Sequence, residues 1–339
     1  MLRDRASARA AALDESPGFQ WKTADKKFRD FSGPLRAGAP ARAASTGDQP
    51  PIRIQPVTPG EHDAILNGVR IHYSIRGSGP PLIAHSGGPG MDARSWVDFA
   101  RIDDFVTVVA IHPRGSGLSD PAPNNAYHLT DYAADVEALR RHLGLDQPIV
   151  MGWSHGGMVA QQFAFTYPKS LSRLILVDTS AYFGEFLGDI EAAVRQFKDQ
   201  RWFEESFAAL KKEWAGDFQS DQDMAELWAH EMKFYFKRFD ARAQAYHEQT
   251  RDLPLRIAPL KCFNEREAST MDLRPHLKDI QVPTLVIVGR HDFITNVAMA
   301  QEMVKHIPRA RLELFEDSGH YVFVEEPQKF YRVIKEFVS

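Results

Sequence analysis

Met151-Gly152-Trp153-Ser154-His155-Gly156-Gly157 sets a serine between two glycines, each two residues away, just after the apolar run Pro148–Met151 and at the start of a helical pattern. This context is the one a nucleophile elbow needs: small residues allow a strained strand-to-helix turn that lifts the serine hydroxyl clear of a sheet. A helix beginning at His155 would also point main-chain N–H groups, at the positive end of its dipole, toward developing negative charge. A hydroxyl is a weak nucleophile at neutral pH unless a base removes its proton and an acid orients that base. Both partners are present downstream. The apolar run Thr284–Val288 leads into Gly289-Arg290-His291-Asp292, and Leu312–Phe315 leads into Glu316-Asp317-Ser318-Gly319-His320. Asp292 and His320 are therefore the expected acid and base, in the chain order serine, aspartate, histidine. Asp178 also follows an apolar run and is the competing acid. His291 and His155 sit beside these residues in sequence and are not read as bases.

An acyl-transfer intermediate carries an oxyanion that needs two preorganised donors. The N–H of His155 is one. The segment Ser86-Gly87-Gly88-Pro89-Gly90 offers Gly87 or Gly88 for the other, because residues without Cβ let the main chain approach a substrate. Trp153, next to the nucleophile, is a candidate substrate contact.

These residues must be held by a sheet. Ala64–Leu66 and Val69–Ile75 around Asn67-Gly68 read as a hairpin. Pro81–His85, Phe105–Ile111, Ile149–Gly152, Leu174–Val177, Thr284–Val288 and Leu312–Phe315 are short, Val/Ile-rich and bounded by turn residues, as buried strands are. Helical patterns fit 130–143, 155–167, 296–306 and 327–338 between them. Alternation of this kind predicts an α/β fold with a mostly parallel central sheet, an antiparallel start, and helices on both faces. The alternation stops over 181–270, a stretch rich in Glu, Lys, Phe and Trp that reads as a helical cap inserted after the sixth strand. The core is then 51–180 and 271–339. Residues 1–50, rich in Ala, Arg, Gly and Pro, read as a partly disordered extension.

Composition narrows the partners. Of 339 residues, 43% are apolar and 25% charged, with a net charge of −4, so there is no basic field for nucleic acid. A single cysteine, Cys262, forms no internal disulfide, and no Cys/His cluster has metal-ligand spacing. No run reaches the roughly 18 apolar residues that span a bilayer. The expectation is a cytoplasmic protein without metal or organic cofactor, acting on a small molecule or short peptide, away from membrane and nucleic acid; oligomeric state is not legible.

From about residue 64 onward the chain resembles the α/β-hydrolases with a helical lid, and within them the prolyl iminopeptidases. The resemblance rests on Ser86-Gly87-Gly88-Pro89-Gly90, similar to that family's His-Gly-Gly-Pro-Gly, and on Pro113-Arg114-Gly115-Ser116-Gly117-Leu118-Ser119, similar to its Asp-Gln-Arg-Gly-x-Gly-x-Ser. Ser86 replaces the family histidine, and His112-Pro113 replaces Asp-Gln. The resemblance implies that Arg114 ties loops together, and that cap carboxylates, with Glu204, Glu205 and Glu231 as candidates, hold the free amine of a substrate. It implies a serine hydrolase releasing an N-terminal residue through an acyl-enzyme. A carboxylesterase or lactonase acting on an uncharged acyl compound is the alternative, and a non-catalytic ligand-binding protein is a remote one. Epoxide hydrolases and dehalogenases of the same architecture use an aspartate nucleophile, which Ser154 argues against.

Overall fold

In the computed structural model, residues 57–182 and 190–339 are described; the expected N-terminal extension lies outside them. Strands β1 (Gly60–Leu66) and β2 (Val69–Gly77) pair antiparallel in the register Leu66↔Val69. Asn67 and Gly68 both have positive φ, 49° and 79°, the requirement of a tight turn that matches strand twist. Strands β3 (Pro81–His85), β4 (Thr107–Ile111), β5 (Ile149–Trp153), β6 (Arg173–Val177), β7 (Thr284–Gly289) and β8 (Ala310–Phe315) complete one eight-stranded sheet of order β1-β2-β4-β3-β5-β6-β7-β8. Among the described strands, only β1–β2 and β2–β4 pair antiparallel. Strands β5 and β7 are buried along their whole length, as strands covered on both faces must be.

One apolar cluster, holding Val136, Val159 and Met303, packs under α1 (Leu129–His142), α2 (His155–Thr166) and α8 (Val297–His306). The other, with Trp96, Phe323 and Ile334, involves the short helix α9 (Val322–Glu325) and α10 (Pro327–Val338). Several strand boundaries differ from the sequence reading, the first strand by the most, since it begins at Gly60 and not Ala64. The fourth strand starts at Thr107 because Phe105 closes a 3₁₀ segment, Phe99–Asp104, its N–H bonding the Ile102 carbonyl at 3.1 Å. The eighth begins at Ala310, where pairing with Thr284 in β7 starts.

Between β6 and β7 the described residues hold no strand. They form α3 (Ile190–Val194), α4 (Phe203–Trp214), α5 (Asp221–Glu231), α6 (Ala241–Thr250) and α7 (Ile257–Cys262). An isolated antiparallel bridge, Tyr182↔Asp272, and a 2.7 Å bond from Leu273 N–H to the Ala181 carbonyl bring the two ends of this excursion together. Its aromatic residues largely pack on one another. Phe197, Phe203 and Phe234 form a small core with Ile190, Val194 and Leu210, and Phe293 and Ile294, just after Asp292, pack against it.

Because the strands from β3 to β8 run parallel, the loops after β3, β5, β7 and β8 emerge at one edge of the sheet, where ligands meet open α/β sheets.

Candidate active site

Ser154 lies between β5 and α2 with φ 55° and ψ −122°, a conformation that a non-glycine residue holds only when its surroundings compel it. The surroundings are visible. Its N–H donates to Val177 at 2.9 Å, and its carbonyl accepts from Gly157 N–H at 2.9 Å and Thr179 Oγ1 at 2.6 Å. The flanking glycines serve close approach: a Cβ on Gly152 would lie 2.0 Å from the Gly156 carbonyl oxygen, and one on Gly156 would lie 2.4 Å from those of His85 and Ser86. The β3 loop is thereby pressed onto the turn, and a Cβ on Gly87 would come within 3.3 Å of Ser154 Cβ. This brings Gly87 beside the serine, with Gly88 next to it at φ 110°. His155 is the first residue of α2, so its N–H has no intrahelical acceptor.

The structure pairs His320 Nδ1 with Asp292 Oδ2 at 2.7 Å, both residues buried. Asp292 is tightly held: Oδ1 accepts from the N–H groups of Ile294 (2.9 Å) and Thr295 (3.0 Å), and Oδ2 accepts from Thr295 Oγ1 at 2.7 Å. Burial alone would raise its pKa. The charge and hydrogen bond of His320 and the bonds from Thr295 outweigh that and hold the carboxyl below the usual aspartate range. Thr295 escaped the sequence reading, although a threonine three residues after an acid in a loop is a familiar local hydrogen-bonding pattern.

His320 is also fixed through its main chain. Its N–H donates to the Tyr235 carbonyl at 2.7 Å, and its carbonyl accepts from Trp153 Nε1 at 3.1 Å. Trp153 thus differs from the expectation of a substrate contact. It is 1% exposed, packed among Trp96, Tyr321 and Phe323, and supports the His320 loop from beneath. Asp178 is buried near Asp292 but bonds Gly289 N–H at 2.9 Å, while His320 Nδ1 faces Asp292. Burial, then the neighbouring charge of Asp292, pushes its pKa well above the aspartate range. The His155 imidazole is enclosed against Tyr132 and Phe263, and burial, then His85, lowers its pKa to about 3.

Where Ser86 and His112 depart from the resembling motifs, the structure uses them locally. Ser86 Oγ reaches the Met91 carbonyl at 3.4 Å. His112 Nδ1 accepts from Leu118 N–H at 3.2 Å, and burial brings its pKa down to about 4, so the ring is neutral. Arg114 is buried and grips Asp135 of α1 through two 2.6 Å bonds, with a third bond to the Ala126 carbonyl at 3.1 Å. It joins the β4 loop to α1.

The cap carboxylates separate sharply. Glu204 and Glu205 are exposed, Glu205 lying 3.5 Å from His230. Glu231, at the end of α5, is fully buried, and neither carboxyl oxygen has a hydrogen-bond partner among the described residues. Burial, followed by the charge of Glu213 on α4, pushes its pKa well above the glutamate range. Burial raises Glu213 to about 7. Glu213 is itself only partly buried. Glu213 was not singled out from the sequence, yet a signal exists. It continues the buried stripe Phe203, Ser206 and Leu210 of α4, as Glu231 continues Met224 on α5. The turn after Glu231, Met232–Tyr235, carries the carbonyl that holds His320, and the Tyr235 ring lies 5.5 Å from the His320 ring.

No group of three or more His, Cys, Asp or Glu among the described residues is arranged to hold a metal, and no helix there is long and apolar enough to cross a membrane.

Residues 80–327 match the model of the alpha/beta hydrolase fold. The chain belongs to the α/β-hydrolase fold family. It is 26% identical over 283 residues to a proline iminopeptidase of Saccharolobus solfataricus, covering 80% of this chain and 90% of that protein. It is 27% identical over 280 residues to 3-oxoadipate enol-lactonase 2 of Acinetobacter baylyi, covering 79% and 92%. Among solved structures, the enol-lactonase from Burkholderia xenovorans LB400 superposes with a TM-score of 0.63 at 24% identity, covering 82% of this chain and 99% of that one, a likeness that shows the fold. Within the α/β-hydrolase family these relatives support a hydrolase without selecting a substrate.

Proposed function

We propose that the protein is a serine hydrolase that cleaves an amide or ester bond through an acyl-enzyme on Ser154. The observation carrying this reading is the strained serine, placed on the sheet edge that also holds the buried Asp292–His320 pair. His320 takes the proton of Ser154 as the hydroxyl oxygen attacks the carbonyl carbon, and Asp292 stabilises the imidazolium. The N–H of His155 and that of Gly87 or Gly88 receive the oxyanion. The leaving group departs with the proton from His320, and water, activated by the same base, releases the acid.

Among amide and ester substrates, the cap favours one with a free amine. Glu231 is enclosed beside Glu213, with no compensating cation among the described residues, a costly arrangement unless a cationic ligand completes it. An N-terminal amine of a proline-like residue is such a ligand, in keeping with the similarity to a proline iminopeptidase. The similarity to an enol-lactonase supports the ester reading. Fluorophosphonate labelling that disappears in Ser154→Ala is expected; labelling that survives would remove Ser154 as the nucleophile. Turnover of proline 4-nitroanilide is expected alongside that of 4-nitrophenyl acetate, and ester cleavage with no amide cleavage would leave the esterase reading.

A further inference from the structure

The helix that presents Glu231 has a second face. On that side, α5, α6 and the strap Arg251–Arg256 enclose a cavity of about 410 Å³ that opens on the cap surface and does not touch Ser154, Asp292 or His320. A smaller cavity of about 30 Å³ continues inward from it, sharing Ala225, Arg251 and Leu253–Leu255 as walls. Its inner end is lined by Met91, Trp228 and Tyr321. Tyr321 directly follows His320, and Met91 follows the glycine segment. The strap is seated on that segment: Arg256 N–H donates to the Gly90 carbonyl at 3.1 Å, and a Cβ on Gly90 would lie 2.1 Å from the Arg256 carbonyl oxygen. The two cavities therefore form a funnel whose narrow end lies between the loop of the base and the glycine loop.

Charge in the funnel is unevenly committed. Asp221 is taken up by Arg256 at 2.8 Å and by Ile257 N–H at 2.9 Å, and Glu226 accepts from Gln222 at 3.0 Å. Asp252 is 92% exposed. Arg251 is the cation that lines both cavities. Its Nη1 contacts Glu248 at 3.2 Å and its Nε lies 3.7 Å from Asp252, leaving Nη2 without a hydrogen bond among the described residues.

We propose that this funnel is the leaving-group side of the site, and that Arg251 at its throat selects substrates whose leaving group carries a carboxylate. The proposal rests on the acyl-enzyme reading above. A leaving group must receive its proton from His320, so it departs on the side of the base, whose chain neighbour Tyr321 lines the inner cavity. The acyl carbon stays bonded to Ser154, its bond to the leaving nitrogen or oxygen breaks with that electron pair, and the proton completes the released amine or alcohol. In the reading above the acyl part faces Glu213 and Glu231, and neither residue lines the funnel. A guanidinium with a free N–H is suited to a carboxylate.

The test compares two acetate esters that differ only in leaving-group charge, 4-acetoxybenzoate and 4-acetoxybenzamide, on the full chain and on Arg251→Gln. The expected result is a preference in kcat/KM of about fivefold for the carboxylate, the size of a half-exposed ion pair. Arg251→Gln should remove the preference by slowing the carboxylate ester while leaving the amide ester within twofold. Equal ratios in the two proteins, or no cleavage of either ester by an enzyme that fluorophosphonate labels at Ser154, would overturn the funnel assignment alone. Absence of labelling would instead overturn the acyl-enzyme reading.

Discussion

Replacing Glu213 by glutamine probes the buried carboxyl pair through stability as well as activity. Burial raises the Glu213 carboxyl from 4.5 to about 7 in the folded protein, so the folded state holds its proton more tightly than the unfolded chain. Below pH 4.5 both states are protonated and the group has no effect. Between pH 4.5 and 7 the unfolded chain releases the proton first, so stability falls as pH rises, by about 3 kcal/mol in all, and stays lower above pH 7. Glutamine has no proton to release. Glu213→Gln should therefore match the parent near pH 4.5 and exceed it by up to about 3 kcal/mol at pH 8, measured as the difference in denaturant unfolding free energies at the two pH values. The same carboxyl is expected to bind an amine only when ionised, so KM for proline 4-nitroanilide should fall from pH 6 to pH 8 in the parent. Glu213→Gln should lose that fall together with most of its affinity for this substrate, while 4-nitrophenyl acetate is little affected. A stability difference independent of pH, or a variant less stable at pH 8, would refute the account of an uncompensated buried acid.

Asp292→Asn should keep the fold and lower kcat by about 10³–10⁴-fold, since the asparagine amide no longer stabilises the imidazolium or fixes its tautomer; steady-state kinetics with either 4-nitrophenyl acetate or proline 4-nitroanilide reads this. Asp178→Asn, which keeps the neutral shape that burial imposes, should retain activity within a few-fold, whereas Asp178→Ala should lose activity as Gly289 N–H is left unpaired. Arg114→Ala leaves Asp135 buried without its two bonds and should destabilise by about 3–5 kcal/mol, read as a drop in the urea midpoint. Gly156→Ala would force a Cβ to within 2.4 Å of two main-chain oxygens, and should yield insoluble or markedly less stable protein together with loss of fluorophosphonate labelling.

Local pattern was enough for the sheet and for the order of the reactive residues. Short Val/Ile-rich runs between helical stretches define parallel strands, and a turn that needs glycine on both sides of Ser154 announces itself in five residues. Asp292 and His320 were legible because each follows a strand, and strand ends in a parallel sheet share one edge. What sequence could not decide depends on which face of a helix turns inward. Glu204, Glu205 and Glu231 are alike as letters, but only Glu231 lies on an apolar stripe that the cap buries, and its neighbour Glu213 comes from another helix. Trp153 could equally have faced substrate; the alternation of the buried strand β5 turned it into the packing under His320. Likewise the clasp of Arg114 on Asp135 joins residues 21 positions apart, and the funnel beside Arg251 exists only where α5, α6 and the strap meet the glycine loop. The chemistry resides in short segments whose spacing carries meaning. Its selectivity resides in long-range packing, which spacing does not encode.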